Sequence, residues 1–426
     1  MKTILSFIMC IAVMASLVGC SNNYSSTALK TPVYPKSTVF DDYNSQIVLR
    51  KENPLDDSFL KAMNNFSYSV ASKLLSGQTE NINCAPTSLY MILSLAATGA
   101  NGVTQDEILS ALGLSGRKTE FLSQQNSNLY RLLYNDSKIG KLKIANSLWL
   151  KKDSDYKDAF INNAVQNFYA SIHSIDFSDN NAADLMSKWI SENTNGILAP
   201  KMSLDPEQIM SIINTIYFKD EWADRFNEDY TKLDTFYLGD GSEIECDFMN
   251  MTYLTHGYKR GEGFTSSSLY LKNSGSMLFI LPDKGVSLDD LLATPQKAAL
   301  LFNNEDEESG RVTFQLPKFS FGSDLDLIEV MKTLGVKSAF GQNADFTGIT
   351  DDTAFISSIN QQTHIAIDEN GVEAAAFTEI LMAGSAAPKP NENIAEMILD
   401  RPFIFVIRSN NGAILFVGVV NNPAEI

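Results

Sequence analysis

The amino-acid sequence predicts an α+β protein with largely antiparallel sheets. Segments whose apolar residues recur at helical spacing dominate the first half of the chain, whereas segments typical of strands dominate the second half. Residues 57–426 contain no internal repeat and no linker rich in proline and glycine. We therefore expect these residues to form one large domain.

Six segments predict helices, because their apolar residues fall at intervals of three and four. The second of them begins with a proline and ends at a glycine, which are typical helix boundaries. The third carries Thr104 with Glu107 three positions later, the spacing of a capping box. The predicted helices are, in chain order, 58–76, 86–102, 104–114, 155–170, 181–196 and 325–336.

Segments with alternating or continuously apolar residues predict the strands. A Gly-Asp-Gly turn interrupts one of these segments, and an Asn-Asn-Gly turn makes the C-terminal segment a hairpin. The predicted strands are, in chain order, 143–152, 171–177, 210–222, 234–252, 267–273, 276–285, 311–323 and 401–423.

The N-terminal residues carry the features of an export signal. Residues 1–19 contain one lysine, an apolar run and an end of small residues, and they are followed by Cys20. The sequence "LVGC" resembles the bacterial lipobox, which implies that Cys20 is lipidated and becomes the first residue of the mature protein. A plain secretory signal with a chance cysteine is the alternative. Residues 20–56 are rich in Ser, Asn, Thr and Pro and predict a flexible tether, of which a short part can dock on the fold.

The charge and the cysteines limit the possible partners and the redox chemistry. The formal net charge of −18 argues against nucleic acid or an anionic membrane surface as a partner. Cys84 and Cys246 are the only cysteines after Cys20, and they lie far apart in the sequence. Two cysteines do not reveal a pairing, and we expect them to be small buried apolar residues rather than a disulfide.

The search for catalytic signatures finds none. His173, His256 and His364 lie in strand-like stretches and lack the spacing of metal ligands, so structural roles are favoured. The chain has no G-x-S-x-G elbow and no phosphate-binding G-x-x-x-x-G-K motif. The acidic runs 305–308 and 351–352 are typical of solvated loops. We expect no enzyme, no metal and no cofactor, although spacing alone leaves a Ser–His–acid triad open.

Residues 372–384 alternate like a strand with one covered face and one wetter face. Small or apolar residues occupy one face throughout, whereas Glu373 and Glu379 both fall on the other face. A loop rich in Gly, Ser, Ala, Pro and Asn follows directly. On these residues alone, an ordinary edge strand that runs into a surface loop is an equal alternative.

Seven ordered segments resemble motifs of the serpin family, over about residues 57–426. The segment "IDENGVEAAAFTE" (367–379) resembles the hinge of the serpin reactive-centre loop, where a glutamate, a glycine and a run of alanines lead into the loop. The other segments are "NINCAPTSLYMILSLAATGANGVTQDEIL", "WISENTNG", "INTIYFKDEW", "ADFTGI", "RPFIFVI" and "FVGVVNNP".

This resemblance implies a serpin fold, in which helices surround three mostly antiparallel sheets and the reactive-centre loop, here about residues 369–398, is exposed. It implies a suicide inhibitor of serine or cysteine endopeptidases. In the family, the protease cleaves the loop and is held as an acyl-enzyme while the hinge inserts into the central sheet as a new strand. The hinge residues that the resemblance assigns are Glu369, Gly371, Val372, Glu373, Ala374, Ala375 and Ala376.

The resemblance also assigns a region where the central sheet parts. Its residues here are Asn81, Pro86, Ser88, Asn214 and Gln361. Two of its positions depart from the family pattern, because Ala85 replaces a usual serine and Gln361 replaces a usual histidine. In "INTIYFKDEW", Asp220 stands where glycine is usual.

Counting from Gly371, the family's position for the residue before the cut bond is Ser385, with Ala386 following. The loop is longer than is common, so Leu381, Met382 and Ala383 are alternatives. Small residues on both sides of the bond suit proteases of elastase or subtilisin type, and Leu381 or Met382 suits chymotrypsin-like or subtilisin-like enzymes. Pro390 after Lys389 argues against trypsin-like cleavage.

Together these observations predict a monomeric, lipid-anchored inhibitor in a bacterial cell envelope, with target proteases and the membrane as its partners. Ser21 after the lipidated cysteine is not acidic, which favours the outer membrane or cell surface. A non-inhibitory binding protein of the same fold is the alternative function.

Overall fold

The computed structural model describes residues 28–38, 42–303, 306–372 and 393–425. The helices in these ranges are α1 (Tyr43–Glu52), α2 (Asp57–Leu75), α3 (Pro86–Gly99), α4 (Gly102–Ala111), α5 (Thr119–Leu133), α6 (Asp158–Asn167), α7 (Ala182–Asn193), α8 (Leu288–Leu292), α9 (Pro295–Phe302) and α10 (Ile328–Thr333), with two 3-10 helices, Glu228–Tyr230 and Ser338–Phe340. The strands are β1 (Ala28–Lys30), β2 (Ile82–Cys84), β3 (Asn135–Asp136), β4 (Lys141–Lys151), β5 (Ala170–Ile175), β6 (Met210–Glu221), β7 (Lys232–Tyr237), β8 (Glu243–Gly261), β9 (Phe264–Tyr270), β10 (Ser276–Pro282), β11 (Glu308–Pro317), β12 (Phe319–Asp326), β13 (Asn360–Ile367), β14 (Gly371–Val372), β15 (Ile394–Ile398), β16 (Phe403–Arg408) and β17 (Ile414–Val420).

The described strands form two hydrogen-bonded networks. The first sheet has the order β1-β5-β4-β6-β14-β13-β12, with β3 paired to β4. The second has the order β15-β11-β8-β9-β10-β16-β17-β2, with β7 paired to β8. All pairs are antiparallel except β4–β5 and β11–β15. The second network has two parts because the long strand β8 pairs with β7 and β11 along most of its length and with β9 only near its end. The expected α+β architecture with mostly antiparallel sheets is thus confirmed, and the three expected sheets correspond here to two networks, of which the second has two parts joined through β8.

The core lies on both sides of the first sheet. Helix α3 contacts β6 of the first sheet and β17 of the second sheet, so it lies between the two sheets. Helix α7 covers the opposite face, where a smaller apolar cluster includes Trp149, Met186, Ile190 and Ile213. Because successive residues of a strand point to opposite faces, β6 contributes Ile213 to the α7 side and Asn214 to the α3 side.

Local chemistry explains where the first long helices begin. The Asp56 carboxylate accepts hydrogen bonds from the backbone of Ser58 (2.9 Å) and Phe59 (3.3 Å), which caps α2. Pro86 is the first residue of α3, where its missing N–H leaves no helical bond unmade.

The capping box predicted for α4 is wrong. The helix begins two residues earlier, at Gly102, and Thr104 and Glu107 lie inside it. The Glu107 carboxylate instead accepts hydrogen bonds from the backbone of Lys337 (2.8 Å) and Ser338 (2.7 Å). The glutamate therefore caps the distant 3-10 helix Ser338–Phe340 rather than its own helix.

Two further differences concern a predicted strand that is divided and a helix that was not predicted. The predicted strand 311–323 is two strands, β11 and β12, which separate at Pro317 and enter different sheets. The sequence patterns do not predict α5, since its buried side includes Gln125, Asn126, Ser127 and Asn128 beside its leucines.

Parts of the N-terminal segment 20–56, which was predicted to be a tether of which a short part docks, make contacts with the domain. Strand β1 pairs with β5 at the edge of the first sheet. The Tyr34 ring stacks on Tyr134 with 5.8 Å between centroids, and the backbone carbonyl of Pro54 accepts a hydrogen bond from Asn128 (2.7 Å). The domain therefore includes residues before position 57. The predicted signal and Cys20 lie outside the described residues.

Among the described residues, no helix is both long enough and apolar enough to span a bilayer.

Candidate functional site: the hinge and the gap in the first sheet

A tight turn carries the chain from β13 into the predicted hinge. The Asp368 carboxylate accepts hydrogen bonds from the backbone of Asn370 (2.8 Å) and Gly371 (3.1 Å). Strand β14 then pairs on one side with β13, through Ile367 and Val372, and on the other side with Asp220 and Glu221 of β6. The first residues of the hinge thus already lie between β6 and β13.

Gly371 is required by a close approach of two backbones. A Cβ atom at this position would lie 2.1 Å from the Asp220 carbonyl oxygen and 2.7 Å from the Glu221 Cα. Such distances are sterically impossible without a shift of β6, so the glycine of the hinge motif has a packing reason here. Val372 follows it and is only 1% exposed.

Glu369 is held by a buried polar contact set. Its carboxylate accepts a hydrogen bond from the Thr231 hydroxyl (2.7 Å) and pairs with the Lys318 ammonium (3.1 Å). Burial of Glu369 pushes the pKa of its carboxyl up, but the Thr231 hydroxyl, a backbone N–H and Lys318 outweigh this and hold the pKa below its ordinary value. Lys318 lies between β11 and β12, so this pair ties the hinge to the point where the chain changes sheets.

The segment after β6 holds the backbone of the turn. The Trp222 indole N–H donates to the Asp368 carbonyl (2.8 Å), and the Trp222 backbone N–H donates to the Asn370 carbonyl (2.9 Å). The Phe226 N–H donates to the Glu369 carbonyl (3.0 Å). Every carbonyl from Asp368 to Asn370 is therefore satisfied by residues 222–226, which explains why "INTIYFKDEW" ends in tryptophan.

Below β14 the first sheet contains a gap between β6 and β13. A cavity of about 200 Å³ lies on the α7 side, lined by Ile213, Thr215, Asn360 and Gln362 among others. A cavity of about 40 Å³ lies on the α3 side and is lined by residues of α3, β6 and β13. Six residues line both cavities: Gln208, Ser211, Ile212, Asn214, Ser358 and Asn360. The cavities therefore open the space between the two strands to both faces of the sheet. Their lining begins at Thr215 and Gln362, five residues along each strand from Asp220 and Ile367, the partners of Val372.

The predicted sheet-opening residues on β6 and α3 come together beneath this gap. The Ser88 hydroxyl donates to the Asn214 side-chain oxygen. The Asn214 amide donates to Asn146 of β4 (2.7 Å), whose own amide donates to the Phe168 carbonyl (2.6 Å). Strand β6 is thus fastened by side chains to α3 and to β4.

Gln361 has a different partner. Its side-chain oxygen accepts from the Ala85 N–H (2.8 Å) and its amide donates to the Ala85 carbonyl (3.0 Å). Ala85 directly precedes Pro86, the first residue of α3. The side chain at one departure from the family pattern, Gln361, therefore bonds the backbone of the other, Ala85.

Asn81 does not belong to this cluster. Its side chain bonds the backbone of Asn421 (2.8 Å) and Asn422 (2.6 and 2.9 Å), which follow β17. Sequence reasoning also missed two contacts that hold the strands in place, from Thr363 to the Asn83 carbonyl (3.1 Å) and from the Asn83 N–H to Ser323 (2.9 Å). Both contacts involve backbone groups of Asn83, so no side-chain pattern in the sequence signals them.

Several predicted positions lie outside the described residues. They are Glu373, Ala374, Ala375, Ala376, Leu381, Met382, Ala383, Ser385 and Ala386. At the far end of the loop, β15 pairs in parallel with β11 of the second sheet. The loop is therefore anchored at its two ends in different sheets.

The histidines and cysteines have structural surroundings. The His173 ring stacks on Trp149 with 4.1 Å between centroids, and burial lowers its pKa to about 4. Cys84 and Cys246 are free and buried, and burial raises the pKa of Cys84 to about 12 and that of Cys246 to about 11. Neither thiol is therefore activated as a nucleophile.

Comparison with known proteins agrees with this geometry. The family model for "Serpin (serine protease inhibitor)" matches residues 61–423. Serpin-Z2B of Triticum aestivum is 30% identical over 391 residues, covering 84% of this chain and 94% of the relative. The crystal structure of tengpin, a thermophilic serpin, in the native state superposes with a TM-score of 0.78 at 25% identity and covers 93% of this chain and 99% of its own. Thyroxine-binding globulin in complex with thyroxine superposes with a TM-score of 0.73 at 25% identity, covering 86% and 99%. The chain belongs to the serpin family, whose members are generally protease inhibitors rather than enzymes.

Proposed function

We propose that this chain is a suicide inhibitor of serine or cysteine endopeptidases that acts by inserting its cleaved loop into the first sheet. The observation that carries the proposal is the position of β14. Gly371 and Val372 pair with β6 and β13 as the start of a strand between them, and a gap between the same two strands opens five residues further along, at Thr215 and Gln362. The chain that follows Val372 is the segment that would fill this gap.

The free energy for insertion comes from the chain's own unfilled sheet. A strand that enters the gap gains hydrogen bonds to both neighbours and buries apolar side chains, of which each large one contributes about 1.5–3 kcal/mol. Before cleavage the two described ends of the loop are paired in different sheets, which we expect to oppose insertion. The uncleaved state is then separated from the more stable inserted state by a kinetic barrier.

The side chains that would enter the sheet are compatible with this step. Continuing the alternation from buried Val372, the inward positions are Ala374, Ala376 and Thr378, all small and uncharged. The protease nucleophile would attack the carbonyl of Ser385, form an ester or thioester with it and release the amine of Ala386. Insertion of the hinge would then carry the attached protease away from its docking position before water hydrolyses this bond.

The small residues around the proposed bond suit elastase- or subtilisin-like enzymes, and Met382 or Leu381 suits chymotrypsin-like enzymes. The test is incubation of the purified chain with each of these proteases, followed by denaturing electrophoresis and mass spectrometry of the released fragment. We expect a covalent complex that survives denaturant and a fragment that begins at Ala386. The same proteases with their catalytic serine already blocked are the control. Cleavage of the loop without a complex for every protease would contradict the proposal.

The second candidate function is that of a non-inhibitory binding protein, and the similarity to thyroxine-binding globulin, whose structure holds thyroxine, supports it. Such a protein would be nicked in its loop without trapping the protease. Thermal unfolding of the nicked protein separates the two functions, because insertion raises the unfolding temperature markedly and a passive loop leaves it unchanged.

We further propose that Cys20 carries a lipid that holds the inhibitor at the surface of a bacterial envelope. The sequence "LVGC" and the polar residues after it support this location. Fatty-acid labelling of expressing bacteria tests it, since the Cys20→Ser variant should lose both the label and its membrane fraction. Equal labelling of the variant would overturn the proposal.

A further inference from the structure

Asp220 is a buried carboxylate at the point where the hinge meets the sheet. It is 0% exposed and lies at the end of β6, one residue before Glu221. The matching position of "INTIYFKDEW" is usually glycine in the family that this segment resembles. A buried carboxylate needs several donors to offset its lost hydration, so its contacts show what it does.

The carboxylate binds the turn between β9 and β10, residues 271–275. One oxygen accepts from the backbone N–H groups of Ser274 (2.7 Å) and Asn273 (3.1 Å). The other oxygen accepts from the Asn273 side-chain amide (3.0 Å) and the Glu221 N–H (2.9 Å). Burial raises the pKa of Asp220 and these donors oppose the rise. The carboxylate thus fastens the end of a first-sheet strand to a turn of the second sheet.

The backbone of the same residue carries the hinge. Asp220 pairs with Val372 and Glu221 pairs with Gly371. Gly371 approaches Asp220 so closely that no side chain fits between them. A second contact keeps the turn in register, because Lys272 pairs with the Glu221 carboxylate at 2.7 Å. Any displacement of the end of β6 therefore displaces the backbone with which Gly371 and Val372 pair.

We propose that Asp220 is a positioning residue for loop insertion, which fixes the end of β6 against the β9–β10 turn so that the hinge starts its new strand in the correct place. The hinge pairs with β6 through only two described residues, so that short ladder has little rigidity of its own. Asp220 adds rigidity by linking the strand to the second sheet, together with the Lys272 N–H, which donates to the Glu221 carbonyl (2.9 Å), and the Lys272–Glu221 ion pair. The effect of Asp220 on loop insertion rests on the proposed function, whereas its effect on the position of the hinge in the intact protein does not.

The first test measures two rates in the same reaction. In Asp220→Gly, attack of the protease on the loop keeps its rate, because the cut bond lies outside this contact set. Insertion slows by about tenfold, as expected when a set of charge-assisted hydrogen bonds is lost. More inhibitor is then cleaved for each protease trapped. Asp220→Asn, which keeps one acceptor oxygen, restores part of the trapping, whereas exposed Asp229→Asn is the charge-matched control and behaves like the parent.

The second test does not depend on inhibition. Amide hydrogen exchange of the peptide covering residues 367–372 in the intact protein should be faster in Asp220→Gly than in the parent and in Asp229→Asn. Unchanged exchange would overturn the positioning role even if the protein inhibits no protease. If Asp220→Gly exchanged faster but trapped the protease as efficiently as the parent, the positioning role would also be overturned, because insertion would not then depend on a fixed hinge. The absence of a complex for the parent protein would instead count against the proposed function alone.

Discussion

Gly371 is the residue at which backbone geometry is most restrictive in the hinge. We expect Gly371→Ala to lower the free energy of unfolding by about 1–3 kcal/mol, because its Cβ would overlap the Asp220 carbonyl and β6 would have to shift. Urea unfolding followed by Trp fluorescence measures the change. Gly239→Ala is the control, since a Cβ there has no neighbour within 4 Å. Equal stability of the two variants would show that the hinge can leave its place without consequence.

Gln361 makes a second residue-scale prediction. In Gln361→Leu, the buried Ala85 N–H loses its partner, which costs about 1–3 kcal/mol for the unsatisfied group, whereas the Ala85 carbonyl keeps the hydrogen bond from the Leu89 N–H (3.2 Å). The denaturation midpoint should fall, and Gln362→Leu, on the neighbouring and more exposed position of β13, should change it little. Gln361→His tests whether the residue usual in the family can replace the amide while Ala85 is present. We expect the Gln361→His variant to be less stable than the parent, because one imidazole ring cannot bond both the N–H and the C=O of Ala85.

Glu369 predicts how stability depends on pH. Its folded pKa is below the ordinary value, so its stabilising effect is present above the unfolded pKa and is lost as pH falls through the folded pKa. Acid unfolding of the parent should therefore show a loss that Glu369→Gln lacks. His173, with a pKa of about 4, also lowers the stability of the protein on acidification. This effect is the same in the parent and in Glu369→Gln, so the difference between their stability curves reports Glu369 alone. Parallel pH curves would contradict the role of the Lys318 pair.

At the residue scale, some of the predicted site residues lie together in the structure, but the sequence did not predict what the others contact. Gly371 and Val372 lie in the hinge, and Ser88 and Asn214 meet beneath the gap. Asn81 bonds the C-terminal segment instead, and Gln361 bonds a backbone that no sequence pattern points to. Hydrogen bonds between residues hundreds of positions apart depend on the packing of whole elements, which local spacing does not encode.

At the scale of the element, the proposed insertion depends on which face of the segment after Val372 enters the sheet. Ala376 is predicted to point into the sheet and Ala375 away from it, by the alternation that begins at buried Val372. We expect Ala376→Arg to be cleaved without forming a complex, because an arginine on the inserting face would bury an unpaired charge. Ala375→Arg is the matched control and should still trap the protease, as judged by denaturing electrophoresis. Equal trapping by both variants would contradict the assignment of Ala376 to the inward face and Ala375 to the outward face.

Element boundaries were predictable where one local signal dominated. Pro86 marks the start of α3, and the Asn-Asn-Gly turn separates β16 from β17. The prediction failed where a tertiary contact replaced the local one, as when Glu107 caps a distant helix instead of α4. It also failed for α5, since the amides on its buried side hide the apolar period.

At the scale of the whole molecule, the described residues before position 57 are part of the folded unit. A chain that begins at residue 57 loses the Asp56 cap of α2, the Tyr34–Tyr134 stack and the edge pairing of β1. We expect its unfolding temperature to fall by several degrees. A chain that begins at residue 28 keeps these contacts and should match the full mature protein. If the two shortened chains were equally stable, the docked segment would contribute nothing to the fold.

The anchoring of the loop in two different sheets determines what a cleaved molecule looks like in the laboratory. Everything after the cut bond includes β15, β16 and β17, and β16 and β17 lie inside the second sheet between β10 and β2. The fragment that cleavage creates is therefore held by the same ladders and apolar contacts as before, although no covalent bond connects it to the rest. A spent preparation would keep the hydrodynamic size of the intact protein and co-purify with it through every non-denaturing column. Only a separation in denaturant would reveal the two polypeptides, so under the proposed function the active fraction of a sample would have to be titrated against a protease and not inferred from its elution.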